Sequence, residues 1–382
     1  MSQDKLRVAI VGLGFVWYEH HEHAVRKLVE EGEIEVVAIA DTDKARLGRY
    51  KKETLKRFGE AEQGKELLFF ADGKEMIETV GQDLDAAFLY LPPWAHGPVE
   101  MSCIEKGVPF FVEKPLSVDM DAPRRIANAV KESGLITSVG FIERYTPACE
   151  YIRFYLHDGG KVLRAGLVQN VNPVTTRWRW TSNPATGGSF FSENTLHQLD
   201  MLRYWGHEFD KVSAFKYERD VPLEGNVNPY AYAVQYQMKS GAVISVFDNR
   251  VLDKSDAYRR HFTLMCDGAL IDIEKPGIWV PSRIIKNGQE MASWPEREHW
   301  YYYHKELKGF LAKLRGEYTE MAWVGGAGQI GDVRSPYPDA LESWAAAVAA
   351  LESAERGGEV VDVASFDDTE WVKALERSRR GG

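Results

Sequence analysis

The sequence predicts an α/β domain followed by an α+β domain, and three features predict it. The chain has 382 residues, more than one hydrophobic core ordinarily holds. Over the segment 1–145, short apolar runs alternate with stretches of helical spacing, the pattern of a parallel sheet covered on both faces. Over 146–382 the runs lengthen and alternate polar with apolar residues, the period of half-buried strands. The domains are therefore expected at 1–145 and 146–382, the last segment being free to pack back on the first domain.

Leu6 to Val11 is rich in β-branched residues and reads as the first strand, followed at once by Gly12-Leu13-Gly14. From Tyr18 to Glu31, Ala24, Val25 and Leu28 recur at helical spacing. IEVVAIAD is a second strand ending at Asp41, and helix follows through Leu55. Later come a strand at Asp85 to Leu91, a helix near Glu100 to Lys106 and a strand at Val108 to Glu113. A helix over Ala122 to Ser133 and a strand at Ile136 to Phe141 close the series.

The glycine pair has a use in this setting. Gly12 permits a tight turn, and Gly14 lets backbone approach a pyrophosphate at the N-terminus of the following helix, with Phe15 and Val16 as further candidate cofactor contacts. The same pair also serves as a plain structural turn. The third glycine of the dinucleotide fingerprint is replaced by Trp17, so helix and strand pack less closely there or Trp17 points away. Asp41 suits hydrogen bonds from ribose hydroxyls and repels a 2′-phosphate, which favours NAD over NADP. Lys44 and Arg46 work against that preference by offering positive charge.

Composition narrows the rest. Apolar residues are 44% and charged residues 27%, ordinary for a globular protein. The net charge of −10 argues against a nucleic-acid partner. The start, MSQDKLRVAIVGLG, lacks a signal-peptide layout, and no run approaches membrane-spanning length. Cys103, Cys149 and Cys266 lie far apart, giving neither a zinc cluster nor a disulfide framework; a cytoplasmic location is expected. No metal site is expected. His20, His21 and His23 read as a cluster on a surface helix, and His304 has no ligand-like partner at useful spacing.

In the second half, VLRAGLVQNV, AYAVQYQMKS, AVISVFDNR and RRHFTLMCDGALIDI read as strands, with turns at KSG and CDG and one helix from about Thr195 to Trp205. A large sheet must cover its open face, so a homodimer or homotetramer is expected. Trp178, Arg179 and Trp180 suit stacking on a sugar ring with an arginine reading its polar groups; half-buried sheet aromatics fit the run equally well. WPEREHWYYYHKELKGF reads either as a substrate-side insertion or as a subunit contact. AWVGGAGQIGDVRSPYPDALESWAAAV reads as a loop and a helix without the lysine of a phosphate loop.

YLPPWAHGPV, then FFVEKPLS, then GGSFFSENTLHQLD, together with the Gly12/Gly14 turn, resemble the glucose–fructose oxidoreductase and inositol dehydrogenase family. The resemblance runs over nearly the whole chain, strongest at 5–145 and 186–206. It implies an N-terminal Rossmann domain, a C-terminal domain on a large, mostly antiparallel sheet, and a catalytic cleft between them. It places Lys114 beside substrate and nicotinamide, with Glu113 before it. Tyr90, Pro92, Pro93 and His96 fall in the loop beneath the cofactor, and Arg144 and Tyr145 frame the cleft. Gly187, Gly188, Ser189, Glu193, Thr195, His197 and Asp200 match the family's second catalytic element. Glu193 stands where aspartate is usual, and Thr195 where glycine is usual.

The chemistry implied is hydride transfer to or from a hydroxyl-bearing carbon of a sugar, cyclitol or related polyol. Histidine as a side chain changes charge near neutral pH, so His197 suits the acid/base role; Lys114 suits stabilisation of charge on the reacting oxygen, and the two roles are exchangeable. Glu193 orients substrate or tunes His197, lying four residues before it on one helix face. Asp200 contacts substrate, orients His197 or anchors backbone. Helix packing for His197 and an exposed turn for Lys114 are the bland alternatives. Other readings are an oxo-sugar reductase, a sugar-transforming enzyme that recycles its own NAD, and a noncatalytic dinucleotide sensor.

Overall fold

The structure, a computed structural model, describes residues 5–57, 67–173, 183–220, 226–252, 258–275, 282–298, 300–317, 319–323, 326–330 and 333–363. The chain divides into two compact units. One comprises Met1–Lys114, Ala122–Ile142 and Glu298–Asp339; the other comprises Pro115–Asp121, Glu143–Arg297 and Ala340–Gly382.

The first unit is built on six strands: β1 (Leu6–Val11), β2 (Ile34–Ala40), β3 (Leu68–Phe70), β4 (Ala86–Leu89), β5 (Phe110–Val112) and β6 (Thr137–Val139). Every pairing is parallel and the order is β3-β2-β1-β4-β5-β6. Val8 to Ile10 and Ala86 to Leu89 are fully enclosed, which is why these runs show no polar alternation. The order reverses between β1 and β4, so the loops leaving their carboxyl ends diverge and leave the sheet's ligand-binding crevice. The sequence reading lacked β3 and the helix Gly73–Val80, whose N-terminus is capped by Asp72 Oδ1 accepting the Glu75 N–H at 2.8 Å.

The WYYYHKEL run is helical. It forms the helix Trp300–Leu314, part of the first unit, packed on the helix Glu22–Glu30. His20 stacks on Tyr303 (5.1 Å) and His23 on Trp300 (4.8 Å), while Glu31 takes His304 at 3.0 Å and Lys308 at 3.1 Å. A small antiparallel hairpin, Thr319–Trp323 with Gly326–Ile330, follows where a loop was expected.

The second unit carries β7 (Leu163–Pro173), β8 (Phe209–Tyr217), β9 (Ala231–Met238), β10 (Val243–Leu252), β11 (Arg259–Cys266), β12 (Ala269–Glu274), β13 (Ser282–Lys286) and β14 (Gln289–Trp294). The order is β14-β13-β12-β11-β7-β10-β9-β8, ending in the short strand Val361–Asp362. Only the central pair β7·β10 is parallel. The inner face is covered by the helix Leu196–Tyr204 and by the helix ending at Glu355: Trp205 packs on Phe262, and the Tyr236 hydroxyl donates to Ala346 O at 2.9 Å. The outer face exposes Phe215, Tyr217, Phe247, Met265 and Leu270.

Candidate functional site

In the first unit the sequence-selected residues gather at the carboxyl ends of the parallel strands. Gly12 follows β1, Asp41 follows β2, Tyr90 follows β4, and Glu113 and Lys114 follow β5. Gly12 has φ +92°, and a Cβ there would run into Tyr90 O, so both backbone conformation and packing require glycine. Gly14 is open: the nearest atom to its missing Cβ is Arg46 Nη1 at 4.0 Å. Phe15 and Val16 begin the helix, which then widens into a π-turn over Trp17–His21. Trp17 does not point away. It is fully buried against Tyr50 and Tyr90, and the widened turn makes the room that a glycine would otherwise provide.

Asp41 is buried and engaged by protein donors. Its carboxylate accepts Leu13 N–H at 2.7 Å, tying the glycine turn to the end of β2, and Asp43 N–H at 2.7 Å. Arg46 Nη1 lies 3.1 Å from Asp41 Oδ2, so the basic residue suspected from sequence is this acid's ion-pair partner.

Glu113 is 4% exposed, and its Oε1 is 2.6 Å from His21 Nε2. Its other oxygen accepts the Lys114 N–H at 3.1 Å, and a Cβ on Gly140 would press within 2.8 Å of its carboxyl carbon. The surface reading of the histidine cluster fails at its middle member. His21 is 0% exposed and fixes the acid that precedes Lys114, because the π-turn rotates it inward. Tyr90 packs on Trp17 and His21, and burial, then the nearby Glu113 carboxylate, raise its pKa well above the usual value. Pro92 leads into the short helix Pro93–Ala95. His96 Nδ1 bonds Glu100 Oε1 at 2.6 Å, and the other Glu100 oxygen accepts Gly97 N–H at 2.8 Å; His96 thus helps shape the loop.

In the second unit the inner rows of three neighbouring strands change from apolar to polar along their length. Val246 gives way to Asp248 and Arg250 on β10, Val168 to Asn170 on β7, and Phe262 to Arg260 on β11. Asp248 and Arg260 both lie opposite Asn170 in register. Asp248 Oδ1 accepts Asn170 Nδ2 at 2.9 Å and the Thr195 hydroxyl at 3.0 Å, so the threonine standing for the usual glycine ties its segment to the sheet. Burial raises the Asp248 pKa. Arg260 pairs with Glu143 at 2.8 Å and reaches Asn194 at 3.2 Å.

The segment with Glu193 and His197 is helical, a π-turn at Phe191–Thr195 running into Leu196–Tyr204. His197 is 8% exposed with Nδ1 enclosed. Arg144 and Asp200 grip each other: Nε to Oδ2 at 2.7 Å and Nη2 to Oδ1 at 2.6 Å, with the Ser343 hydroxyl donating to Oδ1 at 2.8 Å. Tyr145 is 2% exposed. Trp178, Arg179 and Trp180 lie outside the described residues. Among those described, no group of three or more His, Cys, Asp or Glu side chains is placed to hold a metal ion, and no helix is long and apolar enough to cross a membrane.

His21, Asn170, Asp248, Arg250 and Arg260 escaped the sequence reading. The available signal was polar residues at the inward positions of alternating strands: Asp248 and Arg250 continue the Ile244, Val246 row.

Residues 6–141 match the model of GFO_IDH_MocA, the oxidoreductase family with an NAD-binding Rossmann fold. The chain is 26% identical over 216 residues to scyllo-inositol 2-dehydrogenase (NAD(+)) of Bacillus subtilis, a match covering 55% of this chain and 57% of that one. It is 30% identical over 218 residues to inositol 2-dehydrogenase 4 of Saccharopolyspora erythraea, covering 56% and 58%. The match thus spans little more than half the length of these curated relatives. The crystal structure of scyllo-inositol dehydrogenase from Lactobacillus casei with bound NAD(H) and scyllo-inositol superposes with a TM-score of 0.70 at 20% identity, covering 94% of this chain and 100% of that one. That likeness shows the fold.

Proposed function

We propose, from the premise that the chain belongs through residues 6–141 to the GFO_IDH_MocA oxidoreductase family, that it is an NAD-dependent oxidoreductase acting on a CH–OH carbon of a sugar, cyclitol or related polyol. The observation that carries this is the gathering of Gly12, Asp41 and Glu113–Lys114 at the carboxyl ends of a parallel sheet whose order reverses between β1 and β4. The residues fit a dinucleotide. Gly14 leaves its backbone approachable, and a helix begins directly after it, where the first N–H groups of a helix lack intrahelical acceptors.

NAD, when bound, supplies the hydride acceptor or donor. The chain's part is to bind, orient and move a proton. Gly12, Gly14, Phe15 and Val16 would hold the phosphates of NAD, and the Asp41 carboxylate would disfavour a 2′-phosphate. Tyr90, Pro92 and His96 shape the loop that bears on the cofactor. His21 and Gly140 fix Glu113, which steadies the backbone of Lys114. Lys114 and His197 share the acid/base and charge-stabilising roles, in either order, with Glu193 contacting substrate. Arg144 and Asp200 act as a positioning pair, and Tyr145 lines the substrate side. The row Phe215, Phe247, Met265 and Leu270 favours a homodimer or homotetramer through the outer sheet face, which light scattering would test.

Absorbance at 340 nm, with NAD or NADP in each redox state and a panel of cyclitols, aldoses, sugar acids and oxo-sugars, tests the reading. Turnover lost in both Lys114→Ala and His197→Ala, with cofactor binding kept, supports it. Turnover only from the oxo-sugar side would make the enzyme a reductase, and cofactor retained through purification would favour internal recycling. Binding without turnover across the panel would leave a sensor.

A further inference from the structure

The inner face of β10 holds an arginine that the chemistry above does not use. Arg250 is 5% exposed, yet among the described residues its Nε and Nη2 have no hydrogen-bond partner. Its guanidinium lies 4.8 Å from the centre of the Phe190 ring, at the start of the segment that carries Glu193 and His197, and its backbone N–H donates to Tyr230 O. A buried guanidinium without acceptors is costly, so such N–H groups call for a strong acceptor.

Three other arginines of this chain show what the same edge is used for. Arg144 holds Asp200, Arg164 holds Asp267 and Arg203 holds Glu208, each with Nε on one carboxylate oxygen and Nη2 on the other, at 2.6–2.9 Å. Among the described residues no carboxylate sits on that edge of Arg250. Besides burial, the groups acting most strongly on it are Asp248, Arg260, Tyr258 and Glu193. None of them forms a hydrogen bond with its Nε or Nη2. Asp248 is occupied by Asn170 and Thr195, and its burial-raised pKa weakens it as a counter-charge. Arg260 is matched by Glu143.

We infer that Arg250 is a specificity residue that grips a carboxylate of the substrate through Nε and Nη2, so that the polyol acted on is a sugar acid. This rests on the oxidoreductase reading above. A ring hydroxyl would meet only one N–H with a neutral acceptor, whereas a carboxylate matches both and makes charge-assisted bonds about twice as strong.

The experiment is calorimetric titration of the NAD-loaded protein with D-glucuronate and D-gluconate against D-glucose, for the unaltered chain, Arg250→Met and Arg250→Lys, beside 340 nm turnover on the same compounds and myo-inositol. The expected result is at least roughly tenfold tighter binding of an acid than of glucose. Arg250→Met abolishes the difference with NAD affinity intact, and Arg250→Lys keeps only part of it because an ammonium lacks the planar fork. Equal affinity for acids and glucose in the unaltered chain overturns the inference, whatever the variants do. Should Arg250→Met not fold, the Lys variant and the unaltered chain decide. Turnover of neutral cyclitols without preference for acids refutes the Arg250 role and leaves the oxidoreductase reading standing; acid binding without any hydride transfer does the reverse.

Discussion

Removing Arg144 from its pair with Asp200 should be among the most damaging single changes in the second unit that leave its backbone preferences untouched. The two side chains are 3% and 1% exposed and joined by bonds of 2.7 and 2.6 Å, so neither charge is solvated by water. Arg144→Met takes the cation from a carboxylate that stays buried, which typically costs about 3–5 kcal/mol. For a unit of this size each kcal/mol lowers the midpoint by about 2–4 °C, so the expected fall is roughly 6–20 °C. Replacing both partners with apolar residues removes the buried charge as well, and Arg144→Met with Asp200→Leu should therefore recover most of the loss. Thermal and urea unfolding followed by circular dichroism would measure both. A single variant within about 1 kcal/mol of the unaltered chain, or a double variant equal to the sum of the singles, would refute the reasoning.

Gly12→Ala should weaken NAD at least roughly tenfold by fluorescence titration, since the φ of +92° and the collision with Tyr90 O must both be relieved at the phosphate turn; unaltered affinity would remove that turn from the cofactor site. Asp41→Ser should lower the ratio of kcat/KM for NAD to that for NADP by about tenfold, by deleting a charge that repels a 2′-phosphate and releasing Arg46. An unchanged ratio would leave Asp41 as a lock on Leu13 alone. Burial raises the Glu31 and Glu33 pKa values, but hydrogen bonds led by Lys308 on Glu31 and by Arg315 on Glu33 outweigh it and lower both below the ordinary 4.5. With the folded pKa depressed, their contribution is complete above 4.5 and disappears as pH falls through the folded value. Hydrogen exchange over the helix Trp300–Leu314 should accordingly quicken below that pH, and Lys308→Met should blunt the change.

What could be read from sequence followed from how each signal is carried. β1, β2, β7, β9, β10 and β11 are long enough to declare a period, and their expected spans agree with the observed ones to within a few residues. β3, β13 and Val361–Asp362 are short or at the periphery, so burial patterns there hardly differ from those of loops. Lys114, Glu113 and Asp41 stand at strand ends, where local motif and position coincide. Asn170, Asp248 and Arg260 meet across three strands far apart in sequence, and such a cluster exists only once register is known. His21 was misplaced for another reason: ordinary 3.6-residue periodicity does not anticipate a π-turn.

That π-turn also explains how a chain lacking the third fingerprint glycine keeps the Gly12–Gly14 turn. The extra residue in Trp17–His21 moves the helix wall outward enough for an indole to fill the gap against Tyr50 and Tyr90, and it swings His21 onto Glu113. The same device recurs at Phe191–Thr195, directly before His197, where Thr195 reaches Asp248. A widened turn wastes some backbone hydrogen bonding, so it persists where side-chain contacts repay the loss. Writing the fingerprint back with a glycine at 17 would therefore not tighten the helix. It would empty a fully buried site at about 3–5 kcal/mol while the His21–Glu113 bond still held the turn open. The departure at Trp17 and the buried acid before Lys114 are thus one arrangement, in which a packing change on one side of β1 reaches the Glu113–Lys114 turn beyond β4.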